Sequence, residues 1–188
     1  MPLRISFNLD DADLRHFEEV AQQTQANARL QPAEATIAAA REVLERAAQA
    51  QAADFVRERF ARLRTMLDMA TDADWTLEAE DRQRLLNALA CFSGKDAADA
   101  NVGFLDHAIM VELVSRDLEH DLAAYRDFCA AREKQLKRRR PGEDHEAQRR
   151  EWLQQSRESL QKRMHERRRL TLDRAGSSVR KLFSLFGL

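Results

Sequence analysis

From Phe104 to Cys129 an apolar or small residue returns at positions 104, 108, 111, 115, 118, 122, 125 and 129. Steps of four and three put all of these on one side of an α-helix, whereas a strand would scatter them over both faces. Leu105, Ile109 and Leu113 add a second apolar face over the first turns only. The stretch VGFLDHAIMVELV (102–114) is therefore expected to be covered from several directions at its start and from one side later. It would be the spine of a helical core. Composition agrees: 30 Ala, 5 Gly, 3 Pro and ten Ile plus Val favour helix over sheet. Leu, Ile, Val and Phe together are 42 of 188 residues, just above the roughly 20% below which chains tend to stay disordered. A core can form, but not every segment need join it.

The remaining elements follow from periodicity and end signals. LRISFNL (3–9) alternates apolar and polar with period two, and reads as a short extended segment that pairs with a second copy or lies over the helices. Asp10 or Asp11 caps a helix presenting Leu14, Phe17, Val20, Ala21, Thr24 and Ala28 on one face. Pro32 opens a second helix over about 32–50, and Val56, Phe60, Leu63 and Leu67 mark a third. TDAD (71–74) breaks the pattern and Trp75 anchors the turn, before a fourth helix over about 77–92. SGKDAADANVG (93–103) reads as a loop. The expected architecture over 10–133 is an all-α bundle of about five helices, with 104–130 continuous at its centre.

KQLKRRRPGEDHE (134–146) sets a boundary, because five cations in seven residues run into Pro-Gly. Two units are expected, 1–133 and 134–188. The second is a basic helix over about 144–174 with a narrow stripe of Trp152 or Leu153, Leu160 and Met164, then a short amphipathic end, SSVRKLFSLFGL. Charge divides at the same place. Residues 1–133 carry 15 Lys/Arg against 25 Asp/Glu, −10, and residues 134–188 carry 16 against 7, +9. Such a split reads as an interaction tail, directed at an acidic partner or folded back on the chain's own acidic body.

Chemistry-bearing residues are thin. Asp106, His107 and Glu112 are the polar members of the spine, but 112 lies five residues beyond 107, whereas helical metal ligands favour spacings of three or four. Asp106 suits the positive first turn of a helix, and Glu112 can pair with Arg116 at i+4. His120 with Asp117 and Asp121 reads as a solvated helix face, and Asp96 with Asp99 as a polar loop. Cys91 and Cys129 stand alone among apolar neighbours, without an obvious basic partner, and read as buried thiols in a reducing cytoplasm. No GxGxxG, P-loop, GxSxG or zinc-finger spacing occurs. The expectation is therefore no catalytic residue, no cofactor and no metal site.

LLNALACFSGKDAADANVGFLDHAIMVELVSRDLEHDLAAYRDFC (85–129) resembles the YkvA-like family, domain of unknown function 1232. GFLDHAIMVELV matches its Gly-x-x-Asp-Asp segment and apolar helix through Gly103, Leu105 and Asp106. ISFNLDDADLRHF and DFVRERF look like longer members. The chain departs by lacking both prolines of the family's DLIPDxIP-like loop and by carrying His107 where the second Asp stands. The resemblance implies a small all-helical bacterial domain without established activity, sometimes linked to membranes.

Together these features point to a non-enzymatic interaction or scaffold protein, cytoplasmic, with a homodimer among its options. Its contact residues would be Lys137, Arg138, Arg139, Arg140, Arg167, Arg168, Arg169, Arg180, Lys181, Leu182, Phe183 and Phe186. One alternative lays the terminal segment on an anionic surface of the inner membrane. Another binds nucleic acid through phosphates, which the seven acids interspersed in the tail disfavour. The longest apolar run has thirteen residues, short of the roughly 20 that a membrane span needs.

Overall fold

A computed structural model describes residues 10–28, 32–50, 53–92, 104–137 and 146–174. They form seven α-helices: α1 Asp11–Ala28, α2 Ala33–Gln49, α3 Asp54–Thr71, α4 Ala79–Ala90, α5 Leu105–Asp117, α6 Glu119–Lys137 and α7 Glu146–Arg174. A 3-10 turn, Ala73–Trp75, joins α3 to α4. No strand occurs among the described residues, and the period-two segment 3–9 lies outside them. The all-α class holds, but the bundle has more helices than expected.

Local chemistry sets the ends. The Asp10 carboxylate accepts from the amides of Ala12 and Asp13 at 2.8 and 2.9 Å, while Asp13 accepts from the Asp10 amide at 3.1 Å. This is a reciprocal capping box with Asp in the third position. Pro32 sits at the N-cap of α2, where its missing N–H costs nothing. Asp72 caps the 3-10 turn through the Asp74 amide and also accepts from the Tyr125 hydroxyl at 3.0 Å. Arg132 pairs with Asp72 and Asp74 at 2.9 and 3.1 Å, so the TDAD turn is bolted to α6. Trp75, with no exposed surface, lies 5.6 Å from the Tyr125 ring and 5.0 Å from that of Phe128.

The spine is interrupted. The expected helix over 104–130 divides at Leu118 (φ −100°, ψ 13°) into α5 and α6. Nothing local forces the break, since Leu118 is itself buried and in stripe register. Its partner is distant: Arg84 of α4 donates from Nη2 to the Asp117 carbonyl at 3.0 Å, satisfying one of the acceptors that the end of α5 leaves open. The stripe survives the break. Phe104, Ala108, Val111, Ser115, Leu118, Leu122 and Tyr125 are buried, and Cys129 is half-buried. Phe104 enters α5 in the left-handed region (φ 65°), a conformation that costs a residue with a β-carbon about 1–2 kcal/mol. Its ring is buried against Phe60, 6.1 Å away edge-on, which offsets that cost.

One hydrophobic cluster joins residues of all seven helices, including Leu153, Leu160 and Met164 of α7. The sequence boundary at 134–146, whose residues 138–145 lie outside the described part, is therefore not a boundary of the core. α7 packs chiefly along α6 and touches the 3-10 turn. Among the described residues no helix is long and apolar enough to cross a membrane.

Candidate functional site

The stripe of α7 is not purely apolar. Gln161, His165 and Arg168 fall on the same side as Leu160 and Met164, and they meet polar groups there. Gln161 donates to the Thr76 carbonyl at 2.9 Å. His165 Nε2 lies 2.7 Å from Asp81 Oδ2. Arg168 Nη1 donates to Asp81 Oδ1 at 2.8 Å and Nη2 to Asp121 Oδ1 at 2.7 Å. Arg84 completes the set, 3.3 Å from Asp121 Oδ1 and 3.5 Å from Asp81 Oδ1. Two carboxylates from α4 and α6 thus share two guanidinium groups from α4 and α7.

This seam is withdrawn from water. Asp81 and Asp121 are 3% and 2% exposed and Arg168 12%. Burial pushes the Asp81 carboxyl up, but hydrogen bonds from His165 and Arg168, together with the Arg168 charge, outweigh it and hold the group below its ordinary range. Burial raises Asp121, and the charges of Arg84 and Arg168 offset that only in part. Asp121 Oδ2 and Arg168 Nε are buried without a hydrogen-bond partner, so the network is not saturated. Asp117, beside it, is pushed up to about 7 by burial, against the opposing charges of Arg84 and Arg116. The Asp117, His120 and Asp121 cluster is therefore not a solvated face. Asp121 points into the seam, and His120 binds Thr171 of α7 at 2.8 Å.

The expected contact residues separate into groups. Arg168 is committed within the chain. Arg167 is exposed on the outer side of α7, and Arg169 is exposed beside the seam. Lys137 ends α6 and pairs with Glu133 at 2.6 Å on the surface. Arg138, Arg139, Arg140, Arg180, Lys181, Leu182, Phe183 and Phe186 lie outside the described residues, as do Asp96 and Asp99.

Asp106, His107 and Glu112 are not brought together. Asp106 is exposed in the first turn of α5. His107 is half-buried against the rings of Phe92 and Phe104 at 6.4 and 5.9 Å. Burial lowers its pKa, with the Arg46 charge, against the opposing charge of Asp106. Glu112 turns to α3, 2.9 Å from Arg62 and 3.5 Å from Arg59, and its expected partner Arg116 is more distant at 3.9 Å. Burial raises the Cys91 thiol to about 12, which makes it inert at neutral pH. Cys129 does have a basic neighbour, contrary to the sequence reading: Arg132 Nη2 lies 3.9 Å from its sulfur.

Grooves are open and of mixed charge. One, of about 540 Å³, runs beside the seam between Glu78 and the α7 side chains Glu158, Gln161, Lys162, His165, Glu166 and Arg169. A second lies between Arg62, Glu112, Arg116, Glu119 and Arg126. No family model, curated protein or solved structure matches the chain.

Proposed function

We propose that this chain is a non-enzymatic helical interaction protein whose basic helix works with two faces. One observation carries the reading: α7 spends part of its charge inside the chain, yet still shows water a cationic set. Arg168 is held by Asp81 and Asp121, while Arg149, Arg150, Lys162, Arg163, Arg167 and Arg169 are exposed. The acidic body thus fixes the helix, and the outward cations contact a second acidic surface, that of a protein partner or of another copy of this chain. The YkvA-like resemblance belongs to the same proposal. It is supported by Leu105 and Asp106, which open α5 as the motif would require.

Charge of this kind, exposed and several ångströms from a low-dielectric interior, gives binding that salt screens. The test uses the full-length protein on immobilised polyglutamate as a model acidic surface. Retention is expected at about 50 mM salt and release by roughly 300 mM, as the Debye length shrinks. Arg163→Glu with Arg167→Glu, both away from the seam, should release earlier. Sedimentation at the same salts distinguishes self-association from capture by the polymer. Retention that ignores salt, or that the double variant leaves unchanged, would reject the outward face as the contact surface.

A further inference from the structure

Three ligand-type side chains meet at the rim of the seam, where it opens into the groove. Glu78 is the N-cap residue of α4, Asp81 stands one turn further on, and His165 faces them from α7. A carboxylate oxygen of each acid and an imidazole nitrogen lie within 4.8 Å of one another. We propose that Glu78, Asp81 and His165 bind a divalent transition-metal ion, zinc being the best fit, that clips α7 to the start of α4.

The geometry needs little change. Ligand atoms at about 2.1 Å from a tetrahedral zinc are roughly 3.4 Å apart, so closing the set takes under about 1 Å of movement per side chain. The 2.7 Å contact between His165 Nε2 and Asp81 Oδ2 widens by a similar amount to admit the ion. Asp81 is already oriented, with Oδ1 held by Arg168 at 2.8 Å and Oδ2 turned to His165. Outer hydrogen bonds of this kind hold a ligating carboxylate in place. Glu78 occupies a cap position yet makes no capping bond with its side chain. The bond from Gln161 to the Thr76 carbonyl ties the segment before Glu78 to α7 one turn ahead of His165. Both sides of the site are therefore fixed to each other without the ion.

The groove also sets the ion and its strength. Glu78 is exposed and His165 38% exposed, so water can complete the coordination. An imidazole with two carboxylates favours zinc, cobalt or nickel over magnesium or calcium, which prefer all-oxygen shells. Glu158 and Glu166 on the groove wall attract a cation, and Lys162 and Arg169 oppose it. The positive end of α4 opposes it as well. The expected dissociation constant is thus on the order of micromolar, weaker than closed structural zinc sites.

Metal-free full-length protein titrated with Co²⁺ should develop d–d absorption at one equivalent, and Zn²⁺ should displace it. Glu78→Gln is the decisive variant, because it removes a ligand and leaves the Asp81, His165 and Arg168 contacts intact. It should weaken binding at least about 10-fold while the metal-free unfolding midpoint stays unchanged. His16→Ala should bind as the parent does, which excludes that exposed histidine as the origin. Binding no tighter than about 1 mM, or equal in the parent and Glu78→Gln, overturns the site and leaves Asp81–His165 a simple hydrogen bond. Arg163→Glu/Arg167→Glu should keep the cobalt spectrum, so this result and the polyglutamate result stand or fall separately.

Discussion

Replacing Arg168 by Met keeps the length and apolar stem of the side chain and deletes one of the two guanidinium groups in the seam. Asp81 and Asp121, 3% and 2% exposed, would then share Arg84, at 3.5 and 3.3 Å, and Asp81 would keep His165 at 2.7 Å. Removing one partner of a buried ion pair costs about 3–5 kcal/mol, because the charge left behind is under-compensated and away from water. The upper part of that range applies only if the seam stays dry after the change; water entering beside His165, the more exposed member, moves the cost to the lower part. With a urea slope of about 2 kcal/mol per M, the unfolding midpoint should fall by roughly 1.5–2.5 M. Arg167→Met, one position away but on the exposed face, should change stability by no more than about 0.5 kcal/mol. Asp121→Asn in the Arg168→Met background should recover part of the loss, since it removes the charge left stranded. Unfolding followed by far-ultraviolet circular dichroism gives all three values. An Arg168→Met loss below about 1 kcal/mol, equal to that of Arg167→Met, would show that the seam is solvated and its charges weakly coupled.

Three further outcomes follow from the same structure. Ending the chain after residue 145 strips Leu153, Leu160 and Met164 from the shared core, a loss on the order of 5 kcal/mol at about 1.5–3 kcal/mol per side chain; the truncated protein should melt well below the parent, and an unchanged melting temperature would return α7 to the status of a separate appendage. Asp117 keeps its proton to about pH 7 in the folded chain, against about 3.8 for the free group, so the folded state binds more protons between those values and this group's contribution falls as pH rises through the window. Asp117→Asn should match the parent near pH 4 and exceed it by up to about 4 kcal/mol at pH 8, while parallel stability curves would mean that Asp117 is ionised and hydrated. Trp75→Ala, at a site with no exposed surface, should cost about 3–5 kcal/mol, and an effect under 1 kcal/mol in the denaturation midpoint would contradict its place in the core.

The sequence was most informative where a side chain's partner lies within one helix or one turn. The stripe from 104 to 129, the capping aspartates before α1, the TDAD turn and the limits of α7 all express 3.6-residue periodicity or first-turn electrostatics, and all are visible locally. The break at Leu118 is not, because the donor that satisfies the open Asp117 carbonyl there is Arg84, more than thirty residues upstream. Asp117 and Asp121 look like surface acids for the same reason: their burial comes from α4 and α7, and no neighbour in sequence announces it. A weak signal did exist. Gln161, His165 and Arg168 interrupt the narrow apolar stripe of α7 on its own side, and Asp81 and Arg84 do the same beside Leu85 and Ala88 in α4. Polar residues that share the buried face of two helices ask to be paired with each other, although the pairing itself needs three dimensions.

Leucine and methionine grip a neighbouring helix without caring much where along it they sit, so α7 held by Leu153, Leu160 and Met164 alone could slide. The charged contacts remove that freedom. Shifted one turn in either direction, α7 would bring Met164 or Leu172 to the place of Arg168, facing two dry carboxylates with a thioether or a methyl group. The penalty of several kcal/mol for either misalignment makes the seam a ruler. It sets which residues of α7 end up outside, and hence the pattern of charge that any partner meets.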